Sequence, residues 1–136
     1  MSFLLNKSEE NKNAFAFLKD RKINAPCVHC GYYSCFQKIT YILREYFTQE
    51  YNDIHKLLNE RRKGSLHDEY IREFTRQYVK KFDKKEGHNL GRKLKDLKAF
   101  RREADYDDIE IQDDLLDKVE ENMNEFHLLV KRRFEL

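Results

Sequence analysis

The chain has 136 residues, 38% charged and 40% hydrophobic, with a formal net charge of +2. That length holds one core, so a single domain over residues 1–136 is expected. One proline, four glycines and no long apolar run exclude a proline- or glycine-rich fibrous chain and a membrane-spanning helix, and sparse β-branched residues favour an all-α protein.

The N-terminal run MSFLLNKSEE is too short an apolar stretch for a signal peptide. Three cysteines form no disulfide framework and suit a reducing, cytoplasmic setting. Charge is distributed unevenly. Residues 1–60 carry 8 basic and 7 acidic side chains, residues 61–102 carry 15 and 6, and residues 103–136 carry 4 and 12. Two readings follow: ordinary solvated helix faces, or a basic middle segment that meets nucleic-acid phosphates.

A first helix is expected from about Glu9 to Lys22, capped by Ser8, with Ala14, Phe17 and Leu18 inward. Pro26 then suits the first turn of a long helix running to about Gln49. Its stripe of Val28, Tyr32, Cys35 or Phe36, Ile39, Ile42 or Leu43, and Tyr46 makes it the expected centre of the core, and Gly31 allows another helix close. Cys27 and Cys30 with His29 between them raise a redox pair or a zinc site. No second ligand pair completes a tetrahedral set, so buried structural thiols and no metal are expected.

Tyr51 to Glu60 reads as a continued or restarted helix, with His55 at a surface or boundary position. A turn at Lys63-Gly64-Ser65 leads into a helix to about Phe82, with Ser65 and Asp68 as a capping box and Ile71, Phe74, Tyr78 and Phe82 on one face. Asp83 to Asn89 reads as a polar connection. The next helix is expected from Leu90 to Ala104, with Leu94, Leu97, Phe100 and Ala104 inward and Lys98 and Arg101 outward or sideways. A last helix from Gln112 to Arg133 carries the stripe Leu115, Val119, Met123, Phe126 and Val130, with His127 at its boundary. These elements make an up-and-down bundle of four to five helices.

The chemistry centres on Arg61-Arg62-Lys63-Gly64-Ser65-Leu66-His67. Arg62 and His67 flank a turn into a helix N-terminus, where free backbone donors favour an anion. Arg62 can grip a phosphate with its planar fork, and Arg61, Lys63 and Ser65 can add phosphate contacts. The helix dipole disfavours a protonated His67, and a neutral imidazole can act as general base on a ribose 2′-hydroxyl, then as acid toward the leaving oxygen. Such transesterification needs no metal and no cofactor. Against this stands a structural reading: a helix cap with His67 packed on the inner stripe, and with Asp68 and Glu69 repelling phosphate.

Three segments in order resemble HEPN domains: Ala25-Pro26-Cys27-Val28-His29-Cys30-Gly31-Tyr32-Tyr33-Ser34-Cys35-Phe36, then Gly64 to Phe74 around His67, then Leu97-Lys98-Ala99-Phe100-Arg101-Arg102-Glu103-Ala104-Asp105-Tyr106. The resemblance covers about residues 10–134. It implies an all-α bundle that forms a homodimer, with Arg62 as phosphate ligand and His67 as acid/base in a composite, metal-independent RNA-cleaving site. Many such domains are toxins paired with a minimal nucleotidyltransferase antitoxin, which in some pairs adds AMP to a tyrosine two residues after the motif histidine. Here Glu69 holds that position and Tyr70 is the nearest tyrosine, the candidate for modification or for lining the site. Other members are non-catalytic modules that bind a nucleotidyltransferase partner or a nucleotide.

Overall fold

A computed structural model describes residues 2–47 and 53–136. Among them the fold is all-α, with six helices in chain order: α1 (Phe3–Asp20), α2 (Asn24–Glu45), α3 (Ile54–Arg61), α4 (Leu66–Lys81), α5 (Lys84–Tyr106) and α6 (Asp113–Phe134). No helix of the described residues is long and apolar enough to cross a membrane.

Helix α2 is the centre, packing on α1, α4, α5 and α6. Its expected stripe is the reason: Val28, Tyr32, Cys35, Ile39 and Leu43 are all buried. Gly31 fills its expected role, since a Cβ there would stand 3.0 Å from Val119 Cγ1 and 3.1 Å from Phe15 Cδ2. A methyl group there would have to push these side chains aside where α1, α2 and α6 converge.

Helix boundaries move where capping chemistry overrides hydrophobic period. Helix α1 starts six residues before the expected Glu9, because Ser2 rather than Ser8 caps it, accepting from Leu4 N at 3.2 Å and Leu5 N at 3.4 Å. Ser8 is buried and donates to Ser34 O at 2.6 Å, tying α1 to α2. Helix α3 is capped by Asp53, which accepts from Lys56 N at 3.1 Å. Its expected start at Tyr51 and the expected end of α2 at Gln49 lie outside the described residues.

The largest departure is Asp83 to Asn89, which is helix rather than a polar connection. Asp83 is the N-cap, accepting from Glu86 N at 2.7 Å. Glu86 accepts from Tyr78, from Arg133 Nε at 3.1 Å and from Arg133 Nη2 at 3.2 Å. One carboxylate therefore joins α4, α5 and α6, and these donors hold it below the usual carboxylate pKa. Gly87 is not a turn residue: it lies in α5, where a Cβ would come 2.6 Å from Val79 Cγ2. Each N-cap bond is worth about 1 kcal/mol.

Helices α4 and α5 run antiparallel in constant register. Val79 faces Gly87, Thr75 faces Gly91 and Asp68 faces Lys98. The register brings the C-terminal half of α5 beside the start of α4, and so positions the site.

Candidate functional site

His67 is the second residue of α4, and α2 builds its surroundings. Its ring stacks on Phe36, with centroids 4.0 Å apart and planes at 8°. Tyr33 meets it edge-on at 5.9 Å. Nδ1 lies 2.8 Å from Tyr32 Oη. Tyr32, Tyr33 and Phe36 share one face of α2 because their spacings of three and four residues fit its turn. Burial raises the Tyr32 pKa, so this hydroxyl stays protonated and available to the imidazole.

Helix α5 supplies the charge. The Arg101 guanidinium lies 5.3 Å from the Tyr32 ring centroid and 5.7 Å from that of Tyr33. Arg101 is 9% exposed, and its Nε is buried without a hydrogen-bond partner among the described residues. Its Nη1 donates to Asp105 Oδ2 at 3.4 Å. Lys98, itself buried, donates to Asp68 Oδ1 at 2.7 Å. Burial first, then Arg101 and Lys98, push the His67 pKa below its ordinary 6.5, and Asp68 opposes them. The expected lowering is therefore present, with desolvation rather than the helix dipole as its leading cause.

The sequence-derived site residues divide. Ser65 caps α4, accepting from Asp68 N at 3.4 Å, but the Asp68 carboxylate turns to Lys98 and closes no reciprocal box. Glu69 accepts from Arg72 at 2.5 Å. Both acidic groups of the first turn are thus partnered by cations, which removes the expected repulsion of a phosphate. Arg62 is the exposed C-cap of α3 and is not among the charges acting on His67. Arg61 pairs with Glu73 at 3.6 Å, and Lys63 is exposed. Tyr70 is 2% exposed and its hydroxyl lies 2.9 Å from His55 Nδ1, so it is shut away from a modifying enzyme in this fold. It lines the site only from behind, edge-on to Phe36 at 5.5 Å. His55 is exposed, as expected of a surface or boundary position, and its ring nitrogen reaches the Tyr70 hydroxyl.

Arg101 and Lys98 were expected outward or sideways and are buried instead. Leu90, Leu94, Leu97 and Arg101 recur at four, three and four residues, so the guanidinium continues the apolar stripe into the core. That period was the available signal.

The C-x-x-C segment holds no metal cluster: among the described residues no group of three or more ligating side chains converges. Cys27 is buried and its thiol is pushed up to about 12, and burial raises the Cys30 thiol as well, the opposite of a reactive pair. His29 turns elsewhere, with Nδ1 2.9 Å from Asp105 Oδ2.

From the Lys98 end of the site, a groove of about 510 Å³ follows α4 and α5, lined by Arg72, Thr75, Arg76, His88, Arg92 and Lys95. By the helix rise, Gly91 at its floor lies about 10 Å along the axis from Lys98. Comparison of the chain with family models, curated proteins and solved structures found no match.

Proposed function

We propose that the protein is a metal-independent endoribonuclease of HEPN type, in the toxin or phage-defence class, working as a homodimer. The observation that carries this is a neutral imidazole, His67, anchored through Nδ1 to Tyr32 and set beside the buried Arg101 guanidinium. When Nδ1–H donates to Tyr32 Oη, Nε2 is the free base. It takes the proton of a ribose 2′-hydroxyl, and the 2′ oxygen attacks the adjacent phosphorus. Charge growing on the phosphoryl oxygens falls beside Arg101, in a site dried by Phe36, Tyr32 and Tyr33, where such a cation acts more strongly than in water. Tyr106, 74% exposed and 5.9 Å from the Arg101 guanidinium, offers a face on which an unpaired base can stack. The basic groove on α4 and α5 suits a phosphodiester backbone entering from that side.

Arg62 keeps its phosphate-gripping role in this reading through the second protomer or through a more distant phosphate of the same strand. The test is cleavage of RNA in excess EDTA by wild type and by His67→Ala folded to the same helicity. Cleavage by wild type alone supports the reading, and equal cleavage by both sinks it. A second reading draws on Arg62, which stands exposed and outside the charges that act on His67. In it the domain is a non-catalytic module whose basic segment binds a nucleotidyltransferase partner or a nucleotide. A stoichiometric complex with such a partner, together with no RNA cleavage, would favour it.

A further inference from the structure

We propose that His29, held by Asp105, is a second proton-transfer group of the His67 site, namely the general acid that protonates the leaving 5′ oxygen. The inference rests on the ribonuclease reading above. Its starting point is chemical. An in-line displacement at phosphorus places the attacking 2′ oxygen and the departing 5′ oxygen on opposite sides of the phosphorus. One fixed imidazole cannot touch both, so a base and an acid must flank the phosphate.

The chain supplies a second imidazole in the right neighbourhood. His29 lies in the first turns of α2, and its ring centroid is 4.6 Å from that of Tyr33 with planes at 36°. His67 meets the same Tyr33 ring at 5.9 Å and 84°. Both imidazoles thus border the Tyr33 ring and lie no further apart than those two separations placed end to end. The Arg101 guanidinium lies 5.7 Å from the same ring. The base, the acid and the cation all border one aromatic side chain, against which the phosphate would bind.

His29 is also oriented as an acid must be. Asp105 Oδ2 accepts from Nδ1–H at 2.9 Å and from Arg101 Nη1 at 3.4 Å. That leaves Nε2 as the nitrogen that exchanges protons. The side chain is 46% exposed, so the strand can reach it. The pairing spans α2 and α5 and is independent of any cap or turn. Asp105 and Arg101 sit one helical turn apart on α5, so a single carboxylate positions both the acid and the phosphate cation.

The step balances. His67 Nε2 gains the 2′ proton as the 2′ oxygen bonds to phosphorus. The bond from phosphorus to the 5′ oxygen breaks, and that oxygen takes the proton from Nε2 of protonated His29. The products are a 2′,3′-cyclic phosphate and a 5′-hydroxyl. His67 leaves protonated and His29 neutral, and exchange with water restores both.

A leaving group that needs no proton tests this. The substrates are a short single-stranded RNA oligonucleotide and uridine 3′-(4-nitrophenyl phosphate), whose nitrophenolate departs unprotonated. Wild type, His67→Ala, His29→Ala and His29→Gln are compared on both, at matched helicity. His67→Ala should lose activity on both substrates. His29→Ala should lose about 10²-fold or more on the oligonucleotide and stay within a few-fold of wild type on the aryl ester. His29→Gln preserves a donor to Asp105 and should match His29→Ala, since it cannot give a proton. Equal losses on the two substrates, or none on either, would overturn the role of His29 while leaving the ribonuclease reading intact. A wild type inactive on both substrates would overturn that reading, and the inference with it.

Discussion

Two histidines sit against α2, and both are held neutral, yet their surroundings give them different work. His67 is partly exposed, bordered by aromatic rings and by the Arg101 guanidinium, whose buried Nε has no partner among the described residues. His127, 6% exposed, lies inside a closed network. Lys38 Nζ donates to its Nδ1 at 3.2 Å and to the Leu136 main-chain oxygen at 3.1 Å. Nε2–H then donates to Ser34 Oγ at 3.0 Å, and Ser34 Oγ donates to Gly31 O at 2.8 Å. His127 and Ser34 spend their donors inside the network, which closes it to a ligand. Burial, then Lys38 and Lys12, push the His127 pKa down to about 3. A strongly shifted pKa therefore marks the sealed histidine more than the open one. An unspent donor beside a partly exposed imidazole is the better sign of a site.

The sharpest way to break this contrast is to remove each imidazole in turn. His67→Ala should lower RNA cleavage by about 10²–10⁴-fold, the usual contribution of a general base. It should leave urea stability within roughly 1 kcal/mol, because the ring is only partly buried and makes one hydrogen bond. His127→Ala should do the reverse. It strips Lys38 of one of its two acceptors, leaves Ser34 Oγ without its donor and opens a cavity, at a cost of about 2–4 kcal/mol. Cleavage per folded molecule should stay at the wild-type level. If His127→Ala also abolished cleavage while folded, the division of labour would be wrong.

Acid sharpens the same comparison. Both histidines have folded-state pKa values below the unfolded value of about 6.5. Below pH 6.5 the unfolded chain binds protons that the folded chain refuses, so stability is full above that pH and falls as pH drops. For His127 the slope approaches about 1.4 kcal/mol per pH unit. His127 keeps refusing its proton down to about pH 3, so between pH 6.5 and 5 it should account for a loss of about 2 kcal/mol. His127→Asn, though less stable throughout, should show a flatter dependence in that window. An unchanged slope would mean that the imidazole is solvated or already charged.

The sequence made the framework legible wherever apolar residues alone set the pattern. The stripes of α2, α4 and α6 are buried largely as spaced, and His67 falls on the inner face it was expected to share. It failed where polar residues occupy apolar positions. Lys38 follows Ser34 by one turn and faces His127, which follows Met123 by one turn, so both belong to inner stripes that a hydrophobic reading interrupts. Arg101 is the same case on α5. The run from Asp83 to Asn89 was missed for another reason: its polarity suggested a connection. The carboxylates there are a cap and an inter-helix clamp, and Gly87 serves close packing. Partners in space, which no spacing records, decided each of these.

The smallest expected effect separates site from approach. Lys95 is exposed on the groove of α4 and α5, one turn from Lys98, and lies outside the charges acting on His67. If the groove carries the RNA backbone, Lys95→Gln should weaken binding uniformly across sequences, by under about 1 kcal/mol at moderate salt, and reduce the slope of log affinity against log salt by about 0.7. The rate of the bound complex should not change, because the lysine touches neither the 2′ oxygen nor the leaving group. Lys118→Gln, exposed on the acidic α6, serves as the control and should leave the slope where it was. Equal slopes for both variants would detach the groove from the substrate and leave His67 with an approach from the Tyr106 side. A fall in bound-state rate for Lys95→Gln would instead place the reacting phosphate further along α5 than Arg101, which would move the centre of the site toward the groove.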